Sequence, residues 1–170
     1  AGADAELTGD LAVCVGSCGP GNLHLINGLY DAQRSRVPVL AIAAHIPSEE
    51  IGSNYFQETH PTEIFRECSV YVEHVAHPSQ MPRLLRIAMR EAVEKRGVAV
   101  LVIPGDVGLA DIHAEAEKIS FFPSRVIPAE PLIADAAAAL NESRKVAILA
   151  GAGTEGAHSE LIAIADALQA

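Results

Sequence analysis

The 170-residue chain is 49% hydrophobic and carries 12 Lys plus Arg against 22 Asp plus Glu, a formal net charge of −10. That composition supports one complete core and part of a second, since domains commonly hold about 100 to 150 residues. It excludes nucleic acid as a partner, because no basic cluster is present to track a phosphate backbone, and it excludes a membrane span, because no stretch approaches the roughly 20 apolar residues required.

The chain opens on Ala1–Gly9, which reads as a small-residue helix closing at a glycine. It begins without an initiating methionine or leader and stops inside an apparent helix at Ala170, so it is expected to be cut at both ends. Leu11–Gly16 is a short apolar strand, followed by an abrupt turn through Ser17, Cys18, Gly19, Pro20 and Gly21. The helix from Gly21 to about Arg36 places Leu25, Ile26, Leu29 and Ala32 at helical spacing. With the apolar run Val37–Ala44 it completes a strand-helix-strand unit, so a parallel sheet is expected.

Residues 45–66 turn polar, with Pro47, Gly52, Asn54, Gln57 and Pro61. A loop this long inside a compact domain is more often functional than decorative. Ser69–Val75 passes as a further strand. His77 or Ser79 caps the next helix, whose Met81, Leu84, Leu85, Ala88, Ala92 and Val93 recur every three or four residues. Glu91 and Lys95 form a favourable i,i+4 pair, Gly97 is expected to end the helix, and Val98–Ile103 is a buried strand stopped by Pro104-Gly105-Asp106.

After Val107 the composition shifts. Residues 111–131 carry four acidic residues and Pro123, Pro128 and Pro131, which reads as a linker. The expected organisation is therefore a first domain over 1–107, a linker over 108–130 and the start of a second α/β domain over 131–170. That second domain should open with a helix at Leu132–Leu140, a strand at Lys145–Ala150 and a helix at Ser159–Leu168. Between the last two, Gly151-Ala152-Gly153-Thr154-Glu155-Gly156 fits G-x-G-x-x-G in the strand-to-helix context that motif needs. The motif is either a tight turn or a phosphate rest on a helix N-terminus.

The glycine turn leaving the first strand raises the same question. Three glycines around a proline lose much backbone entropy on folding, and the carboxyl end of a parallel strand is where α/β proteins usually bind ligands. Glu58 and His60 lack a third ligand of convincing spacing, so no metal is expected in this chain. The cysteines Cys14, Cys18 and Cys68 are odd in number, with no paired spacing for zinc or a disulfide framework, which fits a reducing cytosol. Cys14 reads as core, Cys18 lacks a basic neighbour to activate it, and Ser17 lacks a nucleophile elbow.

Gly19-Pro20-Gly21, His24 and Asn27-Gly28-Leu29 together resemble the signature turn of the pyrimidine-binding domain of thiamine-diphosphate enzymes. The resemblance is nearest to the pyruvate oxidases and the quinone-reducing pyruvate dehydrogenases. It continues through Pro38–Ile42, Tyr55–Pro61 and Ile103–Val107 and covers nearly the whole chain. It implies an α/β fold with a parallel sheet flanked by helices, a truncated pyrimidine-binding domain, followed by the first βα unit of a Rossmann-like central domain that carries FAD.

The same resemblance implies the site. Phe56 and Gln57 would face the thiazolium carbon and the substrate, with His24 as a polar ring nearby, while Gly19, Pro20, Gly21, Asn27 and Glu58 would bind thiamine diphosphate. Gly151 and Gly153 would bind the FAD. The activating glutamate is implied to lie in an Arg-His-Glu-type segment ending just before Ala1, and the Mg²⁺ that anchors the diphosphate in a domain outside this chain. The activity implied is oxidative decarboxylation of pyruvate or a related 2-oxo acid, with electrons passing through FAD to a quinone or oxygen. The fragment alone would be inactive. Two alternatives remain: an acetolactate synthase-like condensation, against which His24 argues because related enzymes place asparagine there, and a non-catalytic nucleotide-binding module. A dimer or tetramer is implied, cytoplasmic, with membrane contact only through a carboxyl-terminal segment outside the chain.

Overall fold

The computed structural model describes residues 1–113, 120 and 126–170. The chain divides into two compact units, Ala1–Ser124 and Arg125–Ala170. In the first, strands β1 (Ala12–Gly16), β2 (Val39–His45), β3 (Tyr71–His74) and β4 (Val98–Pro104) alternate with helices α1 (Gly2–Thr8), α2 (Pro20–Ser35), α3 (Pro61–Ile64), α4 (Met81–Lys95) and α5 (Gly105–Leu109).

The strands form one parallel sheet in the order β1-β2-β4-β3. Their apolar runs are continuous because both faces of the central strands are covered. On one face Val39, Ala41 and Ala43 of β2 join Val98, Val100 and Val102 of β4 under Leu29 and Ala32 of α2, together with Phe65 and Cys68. On the other, Leu40, Ala99 and Leu101 pack against Leu84, Ala88 and Ala92 of α4 and Val107 of α5. The steps from β1 to β2 and from β2 to β3 run the same way across the sheet, and their connections share the first face. The return from β3 to β4 runs on the second, as a constant crossover hand requires.

The expected α/β fold, a parallel sheet flanked by helices, is present. The expected elements of this unit all form, with ends displaced by a residue or two. Two local readings change. The left-handed residue closing α4 is Arg96, at φ 51°, rather than Gly97. Gly97 is small for another reason: a Cβ there would lie 2.6 Å from Gln33 Oε1 and 2.9 Å from Val70 Cγ1. That Gln33 oxygen accepts the Val98 N–H at 2.8 Å, fastening α2 to the start of β4. Pro104-Gly105-Asp106 stops the strand as expected but also starts α5, a helix too short to announce itself by periodicity.

Of the expected linker at 108–130, residues 114–119 and 121–125 lie outside the described residues; 108 and 109 belong to α5 and 130 opens the next helix, while 110–113, 120 and 126–129 carry no regular structure. The second unit contains α6 (Glu130–Glu142) and α7 (His158–Leu168). The expected strand at Lys145–Ala150 does not form. An apolar run becomes a strand only by pairing, and the described residues of this unit offer it no neighbour. Among the described residues no helix is long and apolar enough to cross a membrane.

Candidate functional site

The carboxyl ends of the parallel strands present the turn after β1 and the long segment after β2 to the same edge. Asn22, in the first turn of α2, is fully buried and donates from Nδ2 to the Ala44 carbonyl at 2.8 Å. This bond ties the glycine turn to the end of β2, and a buried amide so used is costly to lose. Its Oδ1 has no hydrogen-bond partner among the described residues.

The segment after β2 is fastened at both ends. Asp106 of α5 accepts from the Ser48 N–H at 2.8 Å and the Ser48 hydroxyl at 3.0 Å. The Ser48 backbone N–H is the main reason the Asp106 carboxyl is held below the usual carboxylate range. Further along, Glu58 accepts the N–H groups of Gly52 and Tyr55. These donors, Gly52 first, also hold the Glu58 carboxyl below its usual range. Within the loop so formed, Gly52, Asn54 and Gln57 are left-handed, at φ 91°, 62° and 64°. For Gln57, which is neither glycine nor asparagine, that conformation is an outlier that persists only where the surroundings fix it.

The Glu58 N–H donates to the Tyr55 carbonyl at 2.9 Å, closing a turn in which Gln57 is the third residue, and the glycine turn packs against it. Gly19 is at φ 61°, and a Cβ there would lie 2.8 Å from both the Cβ and the carbonyl oxygen of Gln57. Only glycine lets the two backbones approach this closely. Beside it, the Cys18 thiol donates to Gln57 Oε1 at 3.4 Å. Gly19, Cys18 and Gln57 are thus one contact made across the end of the sheet. Phe56 stands next to it with 80% of its surface exposed, and Tyr55 is also exposed.

Of the residues expected at the site, the structure brings Gly19 and Gln57 into contact, with Phe56 adjacent. Pro20 is exposed and Gly21 half-buried in the first turn of α2, and Asn27 is exposed farther along that helix. His24 is exposed and lines a cavity of about 190 Å³ with Cys14, Leu25 and Gly28; no hydrogen bond or ring contact joins it to Phe56 or Gln57 among the described residues. Both Glu58 oxygens serve the loop's own backbone. Gly151 and Gly153, in the second unit, have no atom of the described residues, apart from their own chain neighbours, within 4 Å of where a Cβ would stand, so none of these requires glycine.

Cys14 is half-buried against the core, and its burial pushes the thiol pKa up, the reverse of activation. Three features escaped sequence reading. Asn22 was masked by the more conspicuous G-P-G beside it. Asp106 was read as a strand stop and as part of the family-like run Ile103–Val107, without its partner Ser48. His45, ending β2, is 7% exposed and meets His74 of β3 edge to face, ring centroids 6.3 Å apart. Burial lowers the His45 pKa, the charges of His74 and His60 lower it further, and Glu58 opposes them. Its Nδ1 and the Nε2 of His74 have no hydrogen-bond partner among the described residues. No sequence pattern pairs residues 29 apart on non-adjacent strands; only the sheet order does. Among the described residues no group of three His, Cys, Asp or Glu side chains is arranged to hold a metal ion.

Residues 1–64 match the family described as thiamine pyrophosphate enzyme, N-terminal TPP binding domain. The whole chain is 58% identical to 44% of a Pseudomonas amyloderamosa protein named "Uncharacterized 42.6 kDa protein in isoamylase 3'region". It is 39% identical, over 98% of its length, to 29% of the putative thiamine pyrophosphate-containing protein YdaP of Bacillus subtilis. Pyruvate oxidase of Lactiplantibacillus plantarum is 40% identical over 68% of the chain and 19% of its own. Acetolactate synthases match as well, that of Arthrospira platensis at 33% over 97% of the chain and 30% of its own. The chain belongs to the thiamine-diphosphate-dependent enzyme family. It spans less than half the length of each of these relatives.

The edge built by Gly19, Gln57 and Phe56 fits one wall of a site for that cofactor. It offers backbone free of side chains beside an exposed aromatic ring, a surface against which a planar heteroaromatic ring can lie. For FAD the described residues give no comparable fit: Gly151 and Gly153 are surrounded by open space, and no built cradle is present.

Proposed function

We propose that the full-length protein oxidatively decarboxylates pyruvate or a closely related 2-oxo acid with thiamine diphosphate, and that this chain supplies one wall of its active site. The observation that carries the reading is the Gly19–Gln57 contact, which holds the Phe56-Gln57 pair, read from the sequence as pyruvate oxidase-like, at the ligand-binding end of the sheet. When bound, thiamine diphosphate supplies a nucleophilic carbon and an electron sink. The chain's own residues bind and orient around it. Phe56 covers the reacting centre with an apolar ring and excludes water from it. The Gln57 carboxamide hydrogen-bonds the oxygens of the 2-oxo acid. His24 adds a polar ring on the α2 side, and Glu58 keeps the loop in the shape that presents its neighbours.

In the same proposal FAD would supply the electron acceptor ahead of a quinone or oxygen and Mg²⁺ would anchor the diphosphate, both held by residues outside this chain, and the protein acts as a cytoplasmic homo-oligomer. Membrane contact is assigned to a carboxyl-terminal segment. The acetolactate synthase reading is supported by relatives of 33% identity and below, and weighed against by His24.

The test is the visible spectrum of the full-length protein under anaerobic conditions, before and after pyruvate is added with thiamine diphosphate and Mg²⁺. Flavin absorbance that bleaches on addition is the expected result. Flavin that stays oxidised while acetolactate accumulates gives the synthase reading instead, and a protein without flavin overturns the oxidative one.

A further inference from the structure

Gly19 and the left-handed conformation of Gln57 fix where the Gln57 backbone lies, but not how its side chain is turned. A glutamine carboxamide has two chemically opposite ends, an accepting oxygen and a donating NH₂. On an exposed loop residue nothing intrinsic distinguishes them, and rotation by half a turn exchanges one for the other. The hydrogen bond that makes the distinction here comes from Cys18, whose thiol meets Gln57 Oε1 across 39 residues of sequence. A thiol is a weak donor and a weak acceptor, and the orientation found here is the one in which S–H donates to the carboxamide oxygen.

We propose that Cys18 is a positioning residue for Gln57: its thiol holds Oε1 and so leaves Nε2 as the donor to the oxygens of the 2-oxo acid. The proposal rests on the reading of Gln57 as a substrate-facing residue. It asks no covalent chemistry of Cys18, which keeps its proton throughout. It also gives a role to the half-buried cysteine in the middle of the glycine turn.

The experiment compares Cys18→Ala, Cys18→Ser, Gln57→Ala and the Cys18→Ala/Gln57→Ala double variant of the full-length enzyme, with thiamine diphosphate, Mg²⁺ and pyruvate. The loss of one hydrogen bond corresponds to about three- to tenfold. Cys18→Ala should lower kcat by that factor and leave KM for pyruvate within about twofold, because orientation rather than access is lost. Cys18→Ser, which keeps a donor, should recover at least about half of the loss. Adding Cys18→Ala to Gln57→Ala should cost nothing more, since the side chain it orients is gone.

Equal losses in Cys18→Ala and Cys18→Ser, or an undiminished loss in the double variant, overturn the proposal and reduce Cys18 to a packing residue. An impaired Gln57→Ala beside an unimpaired Cys18→Ala overturns the positioning role alone. A fully active Gln57→Ala, or no turnover of pyruvate by the unaltered enzyme, overturns the underlying reading and this inference with it.

Discussion

The two compact units were equally legible as helix-forming sequence and ended in different conditions. In the first, the sheet collects apolar side chains from helices on both faces, and Phe65, Val39, Val98, Val100 and Leu101 are sealed from solvent. In the second, α6 and α7 form with no buried residue, and Leu132, Leu149 and Ile164 are half-exposed or more. Helical hydrogen bonds close within a segment, whereas a strand needs a neighbour and a core needs several layers. Local pattern therefore suffices for α6 and α7 but not for the strand between them.

The largest expected effect tests this contrast directly. Phe65→Ala empties a fully buried site between α2 and the sheet and should cost about 3–5 kcal/mol, read as a lower urea midpoint of the protein's core transition. Leu149→Ala, at a residue 99% exposed, should change that midpoint by less than about 0.5 kcal/mol. Comparable effects at the two positions would mean that the second unit has a core of its own.

Next in size is Gly19→Ala. The added Cβ meets Gln57 backbone, and the left-handed conformation strains any side chain, so a loss of about 1–3 kcal/mol is expected. Because the clash pushes the loop rather than the core, turnover by the full-length enzyme should fall more than its melting temperature does. A variant with unchanged turnover would show that the turn and loop do not act together.

The fate of individual residues shows what sequence can carry. β4 was readable because Val98–Ile103 is one uninterrupted apolar run, and α4 because its Leu84, Ala88 and Ala92 repeat at helical spacing. Gly19, Phe56 and Gln57 were found by resemblance to a family motif, with the turn and the loop read as separate stretches. Gln57 takes its left-handed conformation in a local turn closed by the Glu58 N–H and the Tyr55 carbonyl, but that it lies against Gly19 depends on two loops meeting after the chain has crossed the sheet, and no local pattern encodes that contact. The pairing of His45 with His74 is hidden for the same reason: it needs β4 to sit between β2 and β3.

That histidine pair predicts a pH dependence confined to the first unit. A His pKa lowered by folding means that the unfolded chain binds the proton more readily, so stability is complete above the ordinary histidine range and declines as pH falls through about 6.5 toward the lower folded value. The urea midpoint should drop between pH 7.5 and 5.5, and His45→Gln should flatten that part of the profile. An unaltered slope in His45→Gln would assign the dependence to another group.

The smallest effect separates loop order from stability. Glu58 is held below the usual carboxylate range chiefly by the Gly52 N–H, so its contribution is present above the unfolded glutamate value near 4.5 and disappears as pH falls below it, well clear of the histidine window. Its carboxylate is screened by solvent, and Glu58→Gln should leave the melting temperature of the protein unchanged. The amides of Gly52 and Tyr55, which lose a charged acceptor, should nonetheless exchange with solvent faster, while Val100 in the core should not. If all three exchange alike in the variant and the unaltered protein, the loop takes its shape from the Gly19 contact alone, and Glu58 is free to serve the cofactor rather than the loop.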